Sequence, residues 1–194
     1  MIYSNLLVIA YCGIKMTVKK CEKQLKESDL QIKTAESTTD IINKYIAKDR
    51  NDKFLFDIMQ IMCYISYNKY QKELKNIHSV ITNLMTFLLE LNKLNTRCVP
   101  LIRCFIPIQE LMGQFLNFYN EVIYNTSIII ECNSKVCRGL HKDLTVVVQE
   151  CIKDLQRASI YISKLIEIAA MIVDGSKYIL TMIEFVFEKE FGSD

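Results

Sequence analysis

Glycine and proline are scarce in this sequence, which has five glycines and two prolines among its 194 residues. An all-β sandwich needs a turn about every 8–12 residues, and such turns depend on glycine and proline. Rossmann-like and P-loop folds need glycine-rich turns that bind phosphate. The shortage of both residues therefore argues against these fold classes.

A strong excess of charge of one sign is also missing. The 24 basic and 22 acidic residues are spread along the chain and give a net charge of +2. The densest basic run, residues 15–26, is interrupted by Glu22 and is typical of a solvated helix face, not of a surface that follows a phosphate backbone. The composition therefore predicts no nucleic-acid partner, and the length fits one domain.

Motifs that carry chemistry are missing as well. The sequence contains no HExxH, GxSxG or Walker motif, and its two histidines, His78 and His141, lie far apart. Cys132 and Cys137 with His141 would offer three zinc ligands without an obvious fourth. We therefore predict a non-enzymatic protein with no catalytic residues, no metal site and no cofactor.

What the sequence does have is a strong helical period. Four segments carry apolar residues alternately three and four positions apart, which places them on one helix face. We call each such row a seam. The first seam is Val18, Cys21, Leu25, Ser28, Ile32, Ala35, Thr39, Ile42 and Ile46. The second seam is Tyr67, Tyr70, Leu74, Ile77, Ile81, Leu84, Leu88 and Leu91.

The other two seams follow the same rule. The third seam is Leu101, Cys104, Ile108, Leu111, Phe115, Phe118 and Val122. The fourth seam is Leu144, Val148, Cys151, Leu155, Ala158, Ile162, Leu165, Ala169, Ile172, Ser176, Ile179, Ile183 and Val186. Further apolar residues flank the seams, namely Val80, Met85, Phe87, Leu89, Ile152, Ile166 and Val173. This pattern predicts an all-α fold, an elongated up-down four-helix bundle of long heptad-patterned helices.

Polar and helix-breaking residues punctuate the seams. We expect helix boundaries at residues 49–52, 95–100 and 133–139. Pro107 either kinks the third helix or marks its true start. The fourth seam continues through Gly175, which predicts one long helix that tolerates a glycine at a cost of roughly 1 kcal/mol.

The first 14 residues carry no charged side chain. This apolar segment is too short to span a bilayer, so we expect no transmembrane helix. It is interpreted either as a secretory signal or its remnant, or as an apolar segment packed on the core. Residues 15–194 then form a single helical bundle domain.

Eight cysteines form an even set, Cys12, Cys21, Cys63, Cys98, Cys104, Cys132, Cys137 and Cys151. An even number in a small chain favours disulfides in an oxidising compartment. The alternative is that seam cysteines are free and pack as small apolar residues. An up-down bundle predicts Cys21–Cys151, Cys63 with Cys132 or Cys137, and Cys98–Cys104 or an exchange with Cys12. Asn125 begins the one N-glycosylation sequon.

These observations favour a secreted or lumenal, disulfide-stabilised bundle that acts by binding, most simply to a protein partner. One alternative is a carrier or membrane-active bundle for lipids or other apolar small molecules, with residues 161–187 as the segment that would insert. A second alternative is an intracellular, cytoplasmic helical adaptor with free thiols. Self-association fits the pattern, since heptad seams can pair between chains.

Overall fold

The computed structural model describes residues 2–48, 53–94, 99–136 and 144–191, and these ranges contain helices and no strand. The elements are α1 (Ile2–Lys48), α2 (Lys53–Leu94), α3 (Val99–Val136) and α4 (Leu144–Phe191). The prediction of an all-α protein with four helices is confirmed.

The helix boundaries follow the polar and helix-breaking residues of the sequence. Pro100 is the second residue of α3, in the first turn, where its missing N–H costs no helical hydrogen bond. Pro107 lies inside α3 and is exposed, so it does not mark the start of that helix. Gly175 lies inside α4, which runs through it as one helix, as predicted.

Two compact units make up the chain. Unit 1 consists of Met1–Lys26, Asn76–Asn117 and Ile166–Asp194, and unit 2 consists of Glu27–Lys75 and Phe118–Leu165. Each unit therefore contains a segment of all four helices.

In unit 1, α1 runs antiparallel to α2. The thiol of Cys21 donates a hydrogen bond to the carbonyl of Val80, with 3.4 Å between sulfur and oxygen. Eight residues earlier on α1, the ring of Phe87 lies over Gly13, so that a Cβ at Gly13 would be 3.1 Å from the ring. Residue numbers along α2 therefore increase in the direction in which residue numbers along α1 decrease.

The seam residues of α1, α2 and α4 lie in the core wherever the structure describes their side chains. On α2 these include Leu74, Ile77, Ile81, Leu84 and Leu88, and on α4 they include Leu155, Ile162 and Leu165. Two of the buried α1 positions, Ser28 and Thr39, are polar. The side chains of Leu144 and Val148 lie outside the described residues.

The third seam is only partly correct. Ile108, Phe115 and Val122 are buried as predicted, but Cys104, Leu111 and Phe118 are half-buried. The buried residues of α3 instead follow a neighbouring row, which shares Ile108, Phe115 and Val122 with the predicted seam and adds Phe105 and Met112. Both rows satisfy the same three-and-four spacing, so the period alone does not decide which one faces the core.

Two of the flanking residues were also misplaced. Phe87 and Leu89 on α2 are exposed, whereas Val80, Met85 and Ile152 are buried as expected. Phe87 is 41% exposed although its ring lies against Gly13 of α1, so it contributes to the contact between α1 and α2 from the edge and not from the core.

Candidate functional site

Three large apolar side chains on α4 face solvent at a spacing of seven residues. Met171, Tyr178 and Phe185 are 54%, 58% and 50% exposed, and all three belong to unit 1. Seven residues make nearly two helical turns, so the three side chains share one face and extend over about 21 Å. We call this row the α4 stripe.

One border of the α4 stripe is acidic. Glu167, Asp174 and Glu188 are exposed and lie three or four residues from stripe positions. Lys177 pairs with Asp174 at 3.1 Å, but residues 166–194 contain six acidic and two basic side chains. The apolar stripe therefore lies along a negatively charged margin.

Ion pairs hold α4 against α1 within unit 1. Lys177 contacts Glu22, and the pKa of Lys177 is raised by its hydrogen bonds to Glu22 and Asp174. Lys15 lies 3.4 Å from Glu184. These contacts tie one side of α4 to α1 and leave the stripe facing solvent.

A tyrosine joins the second of these pairs. The Tyr11 hydroxyl donates a hydrogen bond to Glu184 and accepts one from Lys15 at 2.8 Å. The hydrogen bond from Tyr11 and that from Lys15 lower the pKa of Glu184. Glu184 therefore stays ionised under mildly acidic conditions, and this contact between helices is retained.

The outer face of α1 in unit 1 has the opposite charge. Lys19, Lys20, Lys23 and Lys26 are exposed beside Met16, which is 73% exposed. We call these five residues the basic face of α1. Unit 1 thus presents an acidic apolar surface on one helix and a basic surface on another.

In unit 2, two hydrogen bonds in or beside the core join pairs of helices, and the seam pattern gave only an indirect indication of them. The Ser28 hydroxyl donates a hydrogen bond to Glu73 at 2.6 Å, and the Ser159 hydroxyl donates one to Glu36 at 2.5 Å. These bonds join α1 to α2 and α1 to α4. Carboxyl groups in or beside a core need such partners, because burying them without hydrogen bonds is costly.

Tyr70 lies beside the Ser159–Glu36 pair. Its hydroxyl is buried and has no partner at hydrogen-bonding distance and angle, although the hydroxyls of Ser159 and Thr39 lie near enough to influence its pKa. The pKa of Tyr70 is raised to about 12, first by burial and then by the charge of Glu36, while the hydroxyls of Ser159 and Thr39 act in the opposite direction. The phenol is therefore neutral at physiological pH.

A serine donating to a carboxyl group has the spacing of a nucleophile and its base. Ser28 is 0% exposed and Glu73 is 5% exposed, so no substrate reaches either atom. The pair therefore serves to hold α1 and α2 together. The sequence had marked Ser28 as a polar seam residue, but Glu73 lies 45 positions away on another helix.

The structure describes five of the eight cysteines. Cys12 is exposed, Cys104 is half-buried, and Cys21, Cys63 and Cys151 are buried. Cys12 and Cys21 are free thiols, so the Cys21–Cys151 bond is not formed here. The other predicted pairs involve Cys98 and Cys137, which lie outside the described residues, and Cys132, whose side chain is not described. These pairs remain predictions.

Cys21 has the environment of a structural thiol. Desolvation raises its pKa to about 12, so the sulfur carries its proton at neutral pH. The proton is used in the hydrogen bond to Val80. This agrees with the alternative that a seam cysteine packs as a small apolar residue.

The remaining sites named from the sequence are single residues. Asn125 is half-buried within α3, whereas N-glycosylation acceptors normally lie in surface loops, so its modification remains a prediction. His78 is half-buried on α2, and His141 lies outside the described residues. Within the described side chains, no three His, Cys, Asp or Glu residues are grouped as a metal site requires.

None of the described helical segments is long and apolar enough to cross a bilayer. No family model, no curated protein and no solved structure matches this chain. The functional argument therefore rests on the surfaces of the molecule.

Proposed function

We propose that the protein is a non-enzymatic helical binding protein whose protein partner docks on the α4 stripe. The observation that supports this is the row of Met171, Tyr178 and Phe185, each at least half exposed on one helix face. Large aromatic and methionine side chains are enriched at the centres of protein interfaces.

The free energy gained by burying the α4 stripe is sufficient for recognition of a partner. Burying a fully exposed side chain of this size contributes about 1.5–3 kcal/mol, and these three side chains have about half of their surface to bury. The stripe therefore offers a few kcal/mol before the costs of association. That amount supports a reversible contact when polar contacts at the border are added.

The border determines which partner fits. Glu167, Asp174 and Glu188 favour a partner that combines apolar and basic residues, such as an amphipathic helix rich in lysine. An anionic lipid surface would repel the same carboxylates. The stripe thus favours a protein partner over the lipid-carrier alternative.

A peptide titration tests this proposal. A fluorescently labelled amphipathic helical peptide with lysine flanks should bind the protein, and the same peptide with glutamate flanks should not. The triple variant Met171→Ser, Tyr178→Ser, Phe185→Ser should bind the lysine peptide at least tenfold more weakly. A wild-type protein that ignores the lysine peptide would contradict the proposal.

The matched control changes three exposed apolar residues on another helix. Ile61, Tyr64 and Ile65 lie on the outer face of α2 in unit 2 and are about as exposed as the α4 stripe. Their replacement by serine should leave peptide binding unchanged. Flotation of the wild-type protein with neutral vesicles, lost in the α4 variant, would favour the lipid alternative.

We also propose a secretory compartment with disulfides, supported by the even set of eight cysteines. Alkylation with and without prior reduction, read by mass spectrometry, tests this. Alkylation of all eight thiols without reduction would favour the intracellular adaptor.

A further inference from the structure

We propose that the partner of the α4 stripe is a second copy of this chain, which docks through the basic face of α1. This inference rests on the proposed function, since it names the occupant of the same surface. The copies then associate head to tail, with the α4 stripe of one against α1 of the next.

The charges of the two segments are opposite. Residues 1–26 contain five basic side chains and one acidic side chain, whereas residues 166–194 contain two basic and six acidic ones. The segments therefore carry net charges of +4 and −4.

Within one copy, only part of this charge is paired across the two helices. The ion pairs between α1 and α4 join Lys15 to Glu184 and Glu22 to Lys177. Lys19, Lys20 and Lys26 lie outside these ion pairs and are exposed, as are Glu167 and Glu188. Matching charge thus remains on the outer surfaces of both helices.

The two surfaces also match in their apolar parts. Met16 is the most exposed of the large apolar side chains described, and it lies within the basic face of α1. A flexible methionine packs well against aromatic rings, with favourable contacts between its sulfur and the ring edge. Tyr178 and Phe185 on the α4 stripe offer such rings, each at least half exposed.

Pairing of two like surfaces is disfavoured by the same charges. Two α4 stripes face to face would bring Glu167 and Glu188 against carboxylates of the same kind, and two α1 faces would bring lysines together. The contact is therefore between unlike surfaces, so that within one contact the first copy keeps its α1 face unused and the second copy keeps its α4 stripe. Head-to-tail contacts of this kind give rings or open chains of molecules, whereas a two-fold axis that forms both contacts at once gives a closed dimer.

The contact is modest in size. The α4 stripe extends over about 21 Å of one helix, less surface than the ~800 Å² per partner of a standard stable interface. We therefore expect weak, concentration-dependent association. Salt should weaken it further, because the lysine–carboxylate pairs are at the exposed rim.

Sedimentation velocity over a concentration series tests the inference with two face variants. The α1 variant is Lys19→Glu, Lys20→Glu, Lys26→Glu, and the α4 variant is the triple serine variant defined above. Wild-type protein should show a mass that rises with concentration and falls in high salt. Each face variant alone should stay monomeric.

A mixture of the two variants provides the sharpest result. The α4 variant keeps its α1 face and the α1 variant keeps its α4 stripe, so one productive contact remains in the mixture. An equimolar mixture should therefore form a dimer and stop there. Failure of the mixture to associate, or association of either variant alone, would overturn the inference.

A control with the same change in charge excludes a general charge effect. Lys44, Lys72 and Lys75 are exposed lysines of unit 2. Their replacement by glutamate should leave self-association as in the wild type. If the α1 triple variant loses its helical circular dichroism signal, the single change Lys20→Glu replaces it and should weaken association about fivefold.

The two proposals fail separately. A wild-type protein that binds the lysine peptide but remains monomeric at every concentration overturns self-association and leaves the binding function in place. A protein that does neither overturns both.

Discussion

Ile108 on α3 occupies the space that a side chain at Gly175 on α4 would need. A Cβ at position 175 would lie 2.9 Å from Ile108 Cγ1 and 3.0 Å from its Cδ1. Glycine inside a helix costs about 1 kcal/mol relative to alanine, so its presence here is explained by the close approach of α3 to α4.

Gly175→Ala should therefore destabilise the protein, although alanine is the better helix former. We expect a loss of about 1–3 kcal/mol in the free energy of unfolding, measured by urea denaturation, because Ile108 has to move. Gly113 is the matched control, since it is exposed on α3 with no atom within 4 Å of its position for Cβ. Gly113→Ala should stabilise by up to about 1 kcal/mol, and equal effects at both sites would contradict the packing argument.

The Ser28–Glu73 hydrogen bond is expected to contribute to stability. Ser28→Ala should lower the free energy of unfolding by about 1–3 kcal/mol, because it removes a hydrogen-bond donor from a buried carboxyl group. Ser37 on the same helix is exposed and bonds only the carbonyl of Lys33. Ser37→Ala should be neutral or slightly stabilising, so a similar loss in both variants would speak against a role for Glu73.

The hydroxyl of Tyr70 should be dispensable. It is buried without a hydrogen bond, so Tyr70→Phe removes a desolvated polar atom and should raise the free energy of unfolding by up to about 1 kcal/mol. The Tyr67 hydroxyl, in contrast, accepts a hydrogen bond from Gln71. Tyr67→Phe should therefore destabilise, and thermal denaturation of the two variants in parallel would show shifts of opposite sign.

The buried thiol of Cys21 predicts a loss of stability in alkali. Its pKa is about 12 in the folded chain against 9.0 for a free thiol, so the folded state holds the proton more tightly. This contribution is complete below pH 9 and is lost as the pH rises toward 12, with a slope of up to about 1.4 kcal/mol per pH unit. Cys21→Ala should make the decline between pH 9 and pH 10.5 shallower.

Thiol reactivity gives an independent check on the same residue. In the native protein the exposed Cys12 should react with an alkylating reagent at pH 8, and Cys21 should react only after unfolding. Rapid native modification of Cys21, located by peptide mapping, would show that the thiol is not held as the structure indicates.

The sequence predicted the buried face of a helix best where the helical period allowed only one apolar face. On α2, the row from Leu74 to Leu91 contains no polar member, so only one face suits a core, and the structure buries that face. On α3, the rows through Leu111 and through Met112 are equally apolar, and only the neighbouring helices decide between them. The local pattern therefore predicted where the helices lie in the sequence better than it predicted which face of each helix is turned toward the core.

The surface features were harder to foresee. Tyr178 and Phe185 belong to the most apolar long stretch of the chain, and core packing was the natural expectation for them. The sequence did contain one signal of their exposure. The two residues are seven positions apart, and each directly precedes a seam residue and so lies beside the buried row. Glu36 and Glu73 were missed because charged residues beside a seam usually face solvent, and their serine partners are on other helices.

The division into two units affects how the chain is made on the ribosome. Every segment of unit 2 lies before residue 166, whereas unit 1 also needs the last part of α4. During synthesis, unit 2 is complete in sequence while the first 26 residues still await their α4 partner. At that stage the first 26 residues have their contacts on α2 available, at Val80 and Phe87, but not those on Lys177 and Glu184, so unit 1 is completed only when α4 has been made.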